Sequence, residues 1–102
     1  MLFHVTATHT PDDCPGYNHD TIPALIEASK GIPAKAEELS IKILFSVNAA
    51  PEHVTFLLLE ADDPYSIALL LTEIPFKQDF KVTAVDYQQT VMQRAAEIYG
   101  QG

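Results

Sequence analysis

Residues 2–9 alternate strictly. Phe3, Val5 and Ala7 point one way, and Leu2, His4, Thr6 and Thr8 the other. A period of two with β-branched residues predicts a strand. The segment "TPDDCPGYN" breaks that pattern with two prolines and a glycine. Asp20 or Thr21 can cap a helix, and Pro23 suits a first turn, whose amides lack helical partners in any case. Gly31-Ile32-Pro33 interrupts the apolar stripe before "AKAEELS", so a kinked or split helix is expected over 20–39. Alternation returns at 41–48, with Ile41, Ile43, Phe45 and Val47 on one face. The run "HVTFLLLE" at 53–60 is apolar on both faces beyond Thr55, the mark of a doubly covered central strand. Asp63-Pro64 is a helix start, and Ile67, Leu70, Leu71 and Ile74 make one stripe over 64–74. A fourth strand is predicted over 80–87. A last helix carries Val91, Met92, Ala95 and Ile98 and stops at Gly100.

The order β-α-β-β-α-β plus a C-terminal helix is a split β-α-β, ferredoxin-like α+β pattern. Its helices cover one face of an antiparallel sheet. Right-handed crossovers put strands one and three at the centre. With 102 residues, a single domain over 1–102 is expected. Alternation assigns Phe3, Val5, Ile41, Ile43, Phe45, Val54, Phe56, Leu58, Phe80 and Val82 to the helix-covered face. The other face receives Leu2, His4, Thr6, Thr8, Leu44, Ser46, Asn48, His53, Thr55, Leu57, Leu59, Val85 and Tyr87. That second set is too apolar for a solvated face. Two copies facing each other would cover it, giving a homodimer. The interface would be dry, or would enclose a small-molecule pocket around His4, Thr6, Ser46, Thr55 and Tyr87.

Composition narrows the partners. Fourteen acidic against six basic residues give a net charge of −8, which disfavours nucleic acid and anionic membrane. The stretch around "SIALLL" is far too short to span a bilayer. One cysteine suits a reducing compartment, and the N-terminus lacks the basic-then-apolar form of a signal peptide, so a cytoplasmic protein is expected.

Two segments carry a resemblance: Glu60-Ala61-Asp62-Asp63, an acidic "E-A/T-D-D" step, and "FKVTAV" at 80–85. The latter is similar to an "F-x-V-T-P-V" closing strand, with Ala84 in place of proline. Through residues 41–87 the chain resembles the dimeric α+β barrel superfamily, and within it a group of small uncharacterised bacterial domains. The first half agrees by topology. The resemblance implies a homodimer in which two sheets close a barrel. The superfamily includes cofactor-independent monooxygenases, isomerases, haem-handling proteins and metal-binding proteins, so the fold does not choose among them.

The chemistry concentrates at the N-terminus. His4, His9, Cys14 and His19 recur every five residues. That spacing is not itself a motif, because five steps along a strand reverse the face. Antiparallel pairing instead brings His9, Cys14, His19 and His53 to one end of the sheet and leaves His4 nearer the other. A thiolate with imidazoles suits zinc or copper. It also suits haem iron, and Cys14-Pro15 is a dipeptide seen in some haem-responsive proteins. The plainer alternative is a set of loop histidines beside a semi-buried cysteine. Catalytic candidates are His4, His53 and Tyr87, with Glu60 beside them. Phe76 and Phe80 are expected as core anchors, with a lid as the alternative. A binding module is the first expectation, an enzyme the second and a structural interaction protein the third.

Overall fold

The computed structural model describes residues 1–100. Strand β1 (Leu2–Thr8), helix α1 (Ile22–Glu38), strands β2 (Lys42–Ala49) and β3 (Val54–Glu60), helix α2 (Pro64–Leu71), strand β4 (Asp79–Val85) and helix α3 (Gln88–Tyr99) follow in that order. Three 3-10 turns lie between them, at Pro11–Asp13, His19–Thr21 and Ala50–Glu52. The strands form one antiparallel sheet in the order β2-β3-β1-β4. This α+β arrangement, with β1 and β3 central, is compatible with a ferredoxin-like fold. No helix among the described residues is long and apolar enough to cross a membrane.

Helix α1 is continuous through Gly31-Ile32-Pro33, which corrects the expected break. An internal proline costs a helix about 3 kcal/mol. Here the stripe beyond it anchors the helix: Ala36 is buried in the core, and Ile32 and Leu39 pack against it. Tertiary burial of one face outweighs the local penalty. Thr21 stands at the N-cap position, but its hydroxyl donates to the Asn18 carbonyl (2.8 Å) and caps nothing. The helix ends in a Schellman motif. Ser40 adopts a left-handed conformation (φ 58°). Its amide donates to the Glu37 carbonyl (3.0 Å), and the Ile41 amide reaches the Ala36 carbonyl (2.8 Å). Ile41 and Ala36 join the same core cluster, the apolar contact that commonly accompanies this cap. At α2 the Asp63 carboxylate accepts from the Ser66 amide (2.8 Å) and hydroxyl (3.1 Å), with Pro64 in the first turn.

β1 sets the faces of the sheet. Phe3, Val5 and Ala7 are buried beneath the helices. Their partners on β3 are Leu59, Leu57 and Thr55, which therefore share that face. Leu59 is fully buried with Ile67 and Leu70 of α2. Val54, Phe56 and Leu58 take the helix-free face, where the Phe56 ring lies 5.9 Å from that of His4. The expected faces of β3 are thus reversed, because a strand apolar on both sides holds no phase of its own. β2 is reversed in part. A bulge between Ile43 and Phe45 turns Ser46 and Asn48 to the helix side, opposite Leu57 and Thr55, and puts Phe45 and Val47 on the free face. On β4, Phe80 and Val82 pair with Ala7 and Val5, so they stay on the helix side as expected.

The molecule is long and thin, 63 × 31 × 18 Å, with a radius of gyration of 16.7 Å. A compact domain of this length has about 13 Å. Helix α3 stands outside the core cluster. It buries no residue, and its ion pair, Arg94 Nη1 to Asp86 Oδ2 (3.6 Å), reaches only its own linker. Val91, Met92, Ile98 and Tyr99 stand exposed along it.

The left-handed Ser40 gives a direct test of the α1 cap. Ser40→Gly removes a Cβ penalty and should raise stability by about 1 kcal/mol, read as a shift in the urea midpoint at constant slope.

Candidate metal centre

His9 lies one residue beyond β1, and its position is an extension of the strand register. Thr8 pairs with Val54, and the next step is a backbone bond from the His9 amide to the His53 carbonyl (3.3 Å). His53 closes the Ala50–Glu52 turn in the left-handed region (φ 57°, ψ 43°), with its amide donating to the Ala50 carbonyl (3.2 Å). Histidine visits that region more readily than most side chains, yet it remains uncommon there and marks a constrained position. Cys14 follows the Pro11–Asp13 turn, its amide donating to the Pro11 carbonyl (3.2 Å). The Asn18 side-chain amide donates to the carbonyls of Asp12 (2.7 Å) and Cys14 (2.9 Å) and pins the loop. The Gly16 amide approaches Cys14 Sγ at 3.4 Å.

The three side chains converge. His53 Nδ1 and His9 Nε2 are 3.3 Å apart, and their rings meet edge-on at 5.1 Å. One donor atom from each of His9, Cys14 and His53 lies within 4.8 Å of the others. Donors around a tetrahedral zinc stand about 3.3–3.8 Å apart, given bonds of 2.0–2.3 Å. Small side-chain rotations close that gap. His9 Nδ1 is buried without a hydrogen-bond partner, while Nε2 is the ring nitrogen that faces His53. Burial holds His9 below the ordinary imidazole value, the neighbouring His53 pushes the same way, and Asp13 opposes them. A neutral imidazole is the form that ligates a metal. His19 stands apart: its Nε2 lies 2.8 Å from the Gly16 carbonyl on the exposed side of the loop, so the converging set has three members rather than four.

The trio lines a cavity of about 570 Å³ between the sheet, α1 and α2. Its walls include Leu25, Ile32, Leu57, Ile74, Phe76 and Phe80. The Phe76 ring also meets that of His9 edge-on at 5.1 Å. Ser46 and Thr55 line this cavity, while His4 and Thr6 lie on the opposite face of the sheet. Tyr87, with Glu60, borders a separate shallow recess that also includes Met1, Lys42 and Asp86. The five residues expected to share one pocket therefore divide among three places, because the β2 bulge and the β3 register carry Ser46 and Thr55 through the sheet. The catalytic candidates His4, His53 and Tyr87 are likewise apart. The cavity walls on α1 were missed in the sequence. Their signal was the stripe Leu25, Ala28, Ile32, which reads equally well as plain core.

The lowered His9 value fixes a sign. Above its ordinary value of 6.5 the imidazole is neutral folded or unfolded, and its contribution is fully present. As pH falls from 6.5 toward the lowered folded value, the unfolded chain binds the proton more readily, and stability is lost. Between pH 7.5 and pH 5 the wild type should lose more stability than His9→Asn in parallel urea melts.

A search of protein-family models and of curated proteins finds no match to this chain.

Proposed function

We propose that the chain is a homodimeric metal- and small-molecule-binding protein, a ferredoxin-like domain whose free sheet face pairs with that of a second copy as an α+β barrel. The observation that carries the metal reading is the convergence of His9, Cys14 and His53 donors within 4.8 Å on the wall of an apolar cavity. Two imidazoles and a thiolate suit zinc or copper. Haem is the weaker fit, because its iron takes at most two axial ligands and three converging donors serve a bare ion better. A reducing, cytoplasmic setting would keep Cys14 free to ligate.

Support for the dimer comes from the helix-free face. Phe45 and Val47 are 41% and 53% exposed there, next to half-buried Phe56 and Leu58. The unpacked α3 adds a second apolar surface, and a domain this small gains proportionally from association. An enzyme is the second reading, and it draws on the same trio: three protein ligands leave a position open for water or substrate, as in catalytic zinc sites.

Native mass spectrometry with metal analysis, on protein purified without chelator and titrated with zinc, tests both parts. A dimer with one ion per chain is expected. A monomer at micromolar concentration would remove the dimer, and failure to take up zinc would remove the metal site.

Position 53 separates ligation from folding. His53→Gly relieves the left-handed backbone, so stability should hold or rise by up to about 1 kcal/mol. Zinc affinity should fall at least tenfold, as measured by competition with a chromophoric chelator.

A further inference from the structure

A metal held by His9, Cys14 and His53 would have one coordination position to spare, and all three ligands line the same cavity. A divalent ion with two neutral imidazoles and one thiolate carries a net charge of +1. No Asp, Glu, Lys or Arg lines the cavity; Asp13, whose charge reaches His9, lies outside the lining and accepts from the Thr10 hydroxyl (3.1 Å). The three ligands are half-buried and Ser29, Ser46 and Asn48 in the lining are exposed, so the spare position is within reach of a ligand entering from solvent. The walls beyond the trio are mostly apolar, Leu25, Ile32, Ile74, Phe76 and Phe80 among them, and the volume of about 570 Å³ falls within the range of small-molecule sites. The polar groups are few and uncharged, chiefly Ser29, Ser46, Asn48, Thr55 and Gln78.

We propose that this site takes a small amphipathic monoanion, a carboxylate on an apolar body, with its head on the metal and its body in the cavity between α1, α2 and the sheet. The inference rests on the metal reading above. A monoanion matches the single net charge. A phosphate dianion exceeds it, and no lysine or arginine lines the cavity to supply the rest. With a net charge of −8, the chain as a whole repels anions, so the ion would be what draws the anionic head, while the apolar walls take the body.

The test uses the full chain, zinc-loaded and metal-free, titrated calorimetrically with acetate, butyrate, hexanoate and octanoate, and with 1-octanol and octyl phosphate. Zinc-loaded protein should bind octanoate at least tenfold more tightly than metal-free protein does, and at least tenfold more tightly than it binds octanol or octyl phosphate. Affinity should climb roughly three- to fourfold per methylene along the carboxylates, the value of apolar burial. Substituting cobalt(II) for zinc should give an absorption spectrum that shifts when octanoate binds, placing the head on the ion. Cys14→Ser should lose zinc and octanoate together. Zinc uptake with octanoate and octanol bound equally, or with no gain along the carboxylate series, overturns this inference and leaves the metal reading standing. Failure to take up zinc overturns both.

Discussion

The pairing of β1 with β3 is the constraint from which the rest follows. β1 is the one strand whose alternation is unambiguous, with Phe3, Val5 and Ala7 buried and the residues between them half-buried. It lies in the middle, so both neighbours take their phase from it. The ladder is tied at both ends. Met1 and Ala61 exchange backbone hydrogen bonds of 2.9 Å beyond one end, and the His9–His53 bond lies beyond the other. A slip of one residue would expose Leu59, empty the core under α2 and separate the two imidazoles. Core and candidate metal centre therefore depend on the same register.

The second determinant is the uneven cover on the helix side. α2 spans Pro64–Leu71 and buries Ile67, Leu70 and Leu71 over the centre of the sheet. Toward the end that carries His9 and His53, the space between α1 and the sheet stays open and forms the cavity. The bulge in β2 matters here, because it directs Ser46 and Asn48 inward where strict alternation would place Phe45 and Val47. Those two apolar side chains move to the helix-free face instead. One irregularity thus gives the cavity its few polar groups and makes the other face more apolar.

The loop from His9 to α1 shows how a short polar segment is held without a core. Cys14 sits between two turns, and the Asn18 side chain grips the backbone at Asp12 and at Cys14 itself. The same loop sends His19 outward to the Gly16 carbonyl. Equal spacing along the chain therefore gave no information about which histidines meet. His9 meets His53 through sheet pairing, and Cys14 joins them because its turn folds back over the strand end.

Much was legible in the residues themselves. Alternation located β1 and β4, Asp63-Pro64 marked the start of α2, and the clustering of His9, Cys14 and His53 at one end followed from antiparallel connectivity. These features are local, or depend only on chain order, so propensity and period suffice to find them. Tertiary structure decided the rest. β3 is apolar on both sides, so only its partner could choose which side faces the helices. The β2 bulge leaves no mark in composition, yet it moved Ser46, and Thr55 followed the β3 register away from His4 and Thr6. Pro33 reads as a helix breaker until the burial of Ala36 and the packing of Leu39 outweigh it. In each case a local signal was weak or divided, and the free energy of long-range packing settled which side of the sheet each residue serves.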